Sequence, residues 1–333
     1  MILADIHTHA LVSSVFFGRD LSYRRRPPSV LHPGGNQVDL ARAWDAGVDV
    51  LGFATYVPWS YPWRDCWEGT LANFGAFGDL AERNPERLRW VRSAGQLDRC
   101  LAAGKIAGIL GVEGGHAIGD DASRVWHLAE WGAWYMTLLH FTDNLIGPSC
   151  HTDPHGKRRL TAFGRKVVAT MDAAGILPDL AHLASGAFWE VLDLTAGPVL
   201  SSHGGCRALC DHPRNLSDEQ IRAIADRGGL IGLILFKRYL TGKLWRGTIA
   251  DVVRHAEHIA TIGGPDCVCI GSDMDAFIST VDPIRDVTGL PLLVEQLAKR
   301  LGDEPARKIA GDNAVRLLRR TLGVRNRTTF TAE

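Results

Sequence analysis

No run of this 333-residue chain approaches the ~20 consecutive apolar residues that a membrane helix needs, so no membrane-spanning role is expected. Net charge is lacking too. Lys and Arg together number 37 and so do Asp and Glu, leaving no field to recruit nucleic acid or anionic lipid. The one basic run, Arg24-Arg25-Arg26 before Pro27-Pro28, reads as a solvated loop. The N-terminus has no charged region leading an apolar core, so export by the usual signal is not expected. Cysteine is sparse and odd in number, seven in all, without framework spacing. Cys206 and Cys210, and Cys267-Val268-Cys269, are not Cys-x-x-Cys pairs. They fit reduced thiols in a cytoplasmic protein, acting as small buried hydrophobes or inert surface groups.

What remains suits a soluble globular enzyme: 46% apolar residues and 36 glycines. Short β-rich apolar runs alternate with helix-like stretches from end to end. Strands are expected at 2–6, 48–55, 106–112, 134–139, 176–181, 198–202, 229–236 and 267–272. Helices are expected at 38–46, 70–83, 94–103, 162–174, 217–227, 249–261, 288–301 and 312–322. Eight strands interleaved with helices spell a single (β/α)8 barrel over 1–323, with a frayed polar tail at 324–333. The loop after the second strand is unusually aromatic, with Tyr56, Trp59, Tyr61, Trp63 and Trp67 stiffened by Pro58 and Pro62. It serves either packing or a wall over a pocket.

In such a barrel the chemistry sits at the C-terminal ends of the strands. The first strand runs into Asp5-Ile6-His7-Thr8-His9, and alternation sends Asp5, His7 and His9 to one face. Imidazole and carboxylate are what zinc and its neighbours bind, although a His-x-His pair alone is more often hydrogen-bonded or solvated. Later strands end at Glu113, His140, His182, His203 and Asp273. Each has a bland reading as a core-edge group; their convergence on one barrel mouth points to a metal site. His32, His127, His255 and His258 read as surface residues; His151 and His155 lie in a Gly/Pro/Asp-rich loop (148–157) that is either near the pocket or, as is commoner, solvated.

Several motifs in order resemble the renal or membrane dipeptidases of the amidohydrolase superfamily. They are Gly111-Val112-Glu113-Gly114-Gly115-His116, Leu138-Leu139-His140 with Asn144, and Leu160-Thr161-Ala162-Phe163-Gly164. Next come Asp179-Leu180-Ala181-His182, Ser202-His203 with Arg207-Ala208, and Asp211-His212-Pro213-Arg214-Asn215. The last are Gly271-Ser272-Asp273-Met274-Asp275 and Gly311 with Asn313 and Arg316. The resemblance spans residues 5 to about 320.

It implies a binuclear zinc hydrolase that cleaves a dipeptide amide with a hydroxide shared by two divalent ions, tolerates a D-residue on the C-terminal side, and suggests a homodimer. Glu113 would bridge the ions, His7 and the residue at 9 would hold one, and His182 and His203 the other. Asp273 would handle the proton of the attacking water. His140 would donate to the developing oxyanion, worth ~3 kcal/mol by analogy. Arg214 and Tyr239 would grip the substrate carboxylate, for which a planar guanidinium suits better than an ammonium.

One position departs. The family carries His-x-Asp where this chain has His7-Thr8-His9. A neutral imidazole in place of a carboxylate moves the loaded site from about 0 to about +1. That predicts weaker binding of one ion and a lean toward anionic substrates. Two other readings are a hydrolase of N-acyl amino acids or other small amides, and a non-catalytic barrel that binds a ligand. The second would be expected to have lost part of the Glu113, His140, His182, His203 and Asp273 set.

Overall fold

The chain's apolar runs become nine parallel strands in the computed structural model, which describes residues 1–24, 36–58, 66–276 and 278–324. They are β1 Ala4–Thr8, β2 Val50–Tyr56, β3 Leu88–Trp90, β4 Ile106–Glu113, β5 Ala133–Thr137, β6 Leu177–Asp179, β7 Leu200–Gly204, β8 Leu230–Leu233 and β9 Val268–Ile270. Apart from β3 and the last residue of β2, every strand residue is buried, as strands covered on both faces require. The order is β2-β1-β9-β8-β7-β6-β5-β4-β3, and β2 also pairs with β4 along Val50↔Ala107 to Tyr56↔Glu113. That last pairing closes eight strands into a ring, so the fold is the expected (β/α)8 barrel. β3 stands outside the ring. It pairs with β4 at Leu88↔Ile106 to Trp90↔Gly108, below the point where β5 joins at Leu110↔Ala133.

Local chemistry sets the helix limits. Thr161 caps the helix Ala162–Ala174 by accepting from Gly164 N, and Gly175 ends it at φ 77°. Ser217 and Gln220 form a capping box before Asp218–Asp226, as do Thr248 and Asp251 before Ile249–Gly263. Helices not expected from the sequence cover Ala10–Phe17, Arg124–Trp131, Ser185–Leu194, Lys237–Thr241 and Asp303–Arg307.

Ala4, Ile6, Val50, Ile109, Leu200 and Leu230 form one apolar group with Ala314, Leu317 and Leu318 of the helix Asn313–Thr321. That helix plugs the N-terminal end of the barrel, where Asn313 Nδ2 donates to Val268 O and Trp134 Nε1 to Thr321 Oγ1. Gly311 comes so close to the chain leading into β1 that a Cβ there would lie 2.6 Å from Ile2 O. With this end filled by hydrocarbon, the polar strand ends collect at the other. Among the described residues no helix is long and apolar enough to cross a membrane. Arg25-Arg26-Pro27-Pro28, His32, the aromatic-loop residues Trp59, Tyr61, Pro62 and Trp63, and the tail 325–333 lie outside the described residues.

Candidate metal centre

Six strands of the ring, β1, β4, β5, β6, β7 and β9, lead into polar side chains at the same mouth, where hydrocarbon walls leave them little water. His7, His9, Glu113, His182, His203 and Asp273 are all buried, and His140 nearly so. Two of them sit on left-handed backbone, His182 at φ 64° and Asp273 at φ 62°. L-residues adopt that region at a cost of about 1–3 kcal/mol, so the fold spends stability to aim these two side chains.

Glu113, at the end of β4, is the centre. Its Oε1 lies 3.5 Å from both His182 Nε2 and His203 Nε2, and 3.7 Å from His7 Nε2. Its Oε2 lies 2.9 Å from His9 Nε2 and 3.8 Å from His140 Nε2. Oε2 pairs with His9 Nε2, whereas Oε1, close as it is to three imidazoles, has no hydrogen-bond partner. Asp273 Oδ1 completes the ring, 3.3 Å from His9 Nε2 and 3.7 Å from His7 Nε2.

The donor set fits divalent ions. A tetrahedral zinc with bonds of about 2.0–2.1 Å holds its ligand atoms about 3.3–3.4 Å apart. His182 Nε2 and His203 Nε2 are 3.2 Å apart and each is 3.5 Å from Glu113 Oε1. On the other side, the donor atoms of His7, His9 and Glu113 all lie within 4.8 Å of one another. A buried carboxylate oxygen that accepts no hydrogen bond, Glu113 Oε1 among the imidazoles of His7, His182 and His203, would be a poor arrangement without a cation.

Electrostatics agree. Burial holds His7, His140, His182 and His203 well below the ordinary imidazole value, with neighbouring imidazoles and Arg214 adding to it. They are therefore neutral, as ligands must be. Burial raises the Glu113 carboxyl, and His9 opposes that. His9 is the exception. Burial disfavours its charge, but the carboxylates of Glu113 and Asp273 outweigh burial and lift it to about 10.

Asp5 does not join the set, although alternation puts it on the face of His7. Its Oδ1 accepts from His7 N and Ser272 N, tying β1 to the end of β9, and burial raises it to about 7. His140 has a buried Nδ1 with no partner. Tyr239 lines the cavity beside the donors, together with Val12, Tyr56, Phe141, Phe236, Ala276 and Ile278. Arg214 lies next to it, its Cζ 6.0 Å from the Tyr239 ring centre. Its Nη2 donates to His203 O at 2.6 Å, and its buried Nε donates to nothing.

Two histidines differ from expectation, and a third takes the less common of its two readings. His255 is buried and internal, bridging Cys206 N and Leu240 O. His258 is half-buried on Asp218. His151 is drawn toward the site, its ring 5.7 Å from that of His182, because Cys150 N and Ala184 N bond to His182 O and Pro148 O and fold its loop inward. Looking only at strand ends overlooks Tyr135, whose Oη lies 2.7 Å from His7 Nδ1. The same alternation that places Trp134 on one face places Tyr135 on the other, which is the signal that could have found it.

A model of the membrane dipeptidase family (peptidase family M19) matches residues 6–331. The dipeptidase verJ of Clonostachys rogersoniana is 28% identical over 250 residues, 75% of this chain and 64% of that protein. The dipeptidase tcpJ of Claviceps purpurea (strain 20.1) is 32% identical over 244 residues, 72% of this chain and 57% of that one. The match thus spans less than two thirds of either curated relative. A crystal structure of a metallopeptidase from Rhodobacter sphaeroides, liganded with a phosphinate mimic of the dipeptide L-Ala-D-Ala, superposes with a TM-score of 0.84. It is 25% identical, and the match covers 96% of this chain and 99% of that one.

Proposed function

The chain belongs to the membrane dipeptidase family, peptidase family M19, and on that premise we propose that it is a binuclear zinc peptidase hydrolysing the amide bond of dipeptides. The observation that carries this reading is Glu113. Its Oε2 lies against His9 Nε2, and its Oε1 lies among His7, His182 and His203 Nε2 with no hydrogen bond of its own, so both oxygens are set among metal-ligand groups as in a carboxylate shared by two cations. His7 and His9 would hold one ion with it, and His182 and His203 the other.

Bound there, the ions would supply a water of lowered pKa and a polarised substrate carbonyl. The remaining work falls to the chain's own groups. Asp273 collects the water's proton at Oδ1 and passes it to the leaving amine. His140 donates to the carbonyl oxygen as it turns tetrahedral. Arg214 and Tyr239 hold the substrate's free carboxylate, the guanidinium by charge and planar geometry. The apolar wall of Val12, Phe141, Phe236 and Ile278 excludes water around the carbonyl. The names of the dipeptidase relatives and the L-Ala-D-Ala mimic bound by the Rhodobacter neighbour support dipeptides, D-residues included, as the substrate class. With His9 where a carboxylate is expected, the two ions are held unequally and the site leans toward anionic dipeptides.

Elemental analysis of the purified protein, followed by hydrolysis assays on a dipeptide library and on N-acyl amino acids, tests this. Two divalent ions per chain and turnover of dipeptides are expected. Turnover confined to N-acyl amino acids, or undiminished after the ions are stripped, would refute the reading.

A further inference from the structure

A neutral imidazole has one N–H and one bare nitrogen, and the hydrogen bond made at one decides which is which. Metal-binding histidines are usually fixed in this way by a partner behind them. Here His7 and His203 have such a partner in a hydroxyl, whereas His182 and the neighbouring His140 have none. His140 Nδ1 and His182 Nδ1 are buried with nothing to bond. His7 Nδ1 and His203 Nδ1 each meet a hydroxyl.

The hydroxyl behind His7 belongs to Tyr135, fully buried on β5, at 2.7 Å. Tyr135 reaches β1 across the barrel interior by passing over Gly111, where a Cβ would stand 2.0 Å from the Tyr135 Cζ. Its O–H has a carbonyl within reach, Ile6 O at 3.4 Å, which leaves its oxygen to accept from His7. The opposite assignment would place the proton on His7 Nε2, which is buried and has no hydrogen-bond partner. A donor stranded there would cost about 1–3 kcal/mol.

Proton counting settles His203 in the same way. Ser202 Oγ lies 2.6 Å from Asp179 Oδ2 and 2.8 Å from His203 Nδ1. Burial raises the Asp179 carboxyl, but it also accepts from Thr137 Oγ1 and from the backbone N–H groups of Ala181 and Ser202, so every hydrogen bond made to it is from a donor and favours the ionised form. The single serine proton goes to that carboxylate, so the Ser202 oxygen must accept from His203 Nδ1–H.

We propose that Tyr135 and Ser202 are positioning residues, one for each ion. By accepting the Nδ1–H of His7 and of His203, they turn a bare Nε2 of each histidine toward Glu113. This rests on the reading of the site as a two-metal centre but not on any substrate.

The test uses Tyr135→Phe and Ser202→Ala, each changing a hydroxyl and little else. Metal-stripped protein is titrated with Zn²⁺ against a chromophoric chelator, and melting temperatures are taken with and without the ion. Each variant should bind one of its two ions about 10–100-fold more weakly and the other as wild type does; the double variant should be weakened at both. The zinc-dependent rise in melting temperature should shrink accordingly. A purely structural role would lower both melting temperatures together and leave that rise intact, which would overturn the proposal. So would wild-type zinc affinity in both variants; if one fails to fold, the other decides. Wild-type protein that takes up no zinc would overturn it together with the metallopeptidase reading.

Discussion

Raising the pH should tighten zinc binding on the His7/His9 side of the site far more than on the His182/His203 side. Glu113 Oε2 at 2.9 Å and Asp273 Oδ1 at 3.3 Å overcome burial and lift His9 to about 10. At pH 7 an ion that takes His9 Nε2 must expel a proton held about three units above the solution pH. That costs roughly 4 kcal/mol, about a thousandfold in affinity. Between pH 6.5 and 8.5 the apparent affinity should rise about tenfold per unit, with one proton released per ion, and the effect fades only as the pH nears 10. His182 and His203, held neutral first by burial, carry no such proton. The same pair also stabilises the metal-free fold. Since the folded value lies above the unfolded one, that contribution is complete below about pH 6.5 and is lost as the pH climbs through about 10. Chelator competition across this range gives the slopes, and calorimetry in buffers of different ionisation enthalpy counts the protons. His9→Asp should flatten the slope and bind more tightly at pH 7. Equal pH slopes on the two sides, or an unchanged slope in His9→Asp, would refute the reasoning.

Three further outcomes follow from particular contacts. Asp273→Asn should keep the fold and its metal content, because asparagine tolerates φ 62°, while dipeptide turnover falls at least about 100-fold; full activity would remove Asp273 from proton transfer. Arg214→Lys should raise KM about tenfold or more for dipeptides with a free carboxylate and leave C-terminally amidated ones unchanged; an equal effect on both would argue against carboxylate recognition. All seven thiols are buried, and burial raises several, Cys100 and Cys150 to about 11 and Cys267 to about 12. A chromogenic thiol reagent at pH 8 should therefore label none of them within minutes until the protein is unfolded; stoichiometric labelling of the native chain would contradict this burial.

The barrel was legible because buried parallel strands leave uninterrupted apolar runs, and the helix 162–174 could be placed to the residue because Thr161 and Gly175 mark its ends. What escaped has identifiable causes. Ala10–Phe17 is rich in β-branched and serine residues, poor helix formers, and folds because Ala10, Leu11 and Val12 are buried. β3 has three residues, with Arg89 exposed in the middle. At the site, residues at strand ends could be listed from position alone, since the fold gathers them. The contacts one turn deeper could not. Tyr135 reaches His7 from across the ring, and Ser202 owes its role to Asp179 on a neighbouring strand, so both depend on how strands are juxtaposed. His255, on a helix that reads as surface, is buried for the same reason, and tertiary hydrogen bonds likewise decide the pocket side of the two readings open for His151.

Closure of the barrel has a kinetic consequence. The donors come from strands at both ends of the chain, and His7 meets Asp273 only after β1 pairs with β9 at Asp5↔Ile270. Contacts of such sequence separation form late in folding. Zinc should therefore leave the refolding rate nearly unchanged and slow unfolding instead, acting as a latch on the finished ring. Stopped-flow refolding and unfolding with and without the ion would reveal it, and a refolding rate that rose with zinc would mean that the ligands meet before the ring shuts.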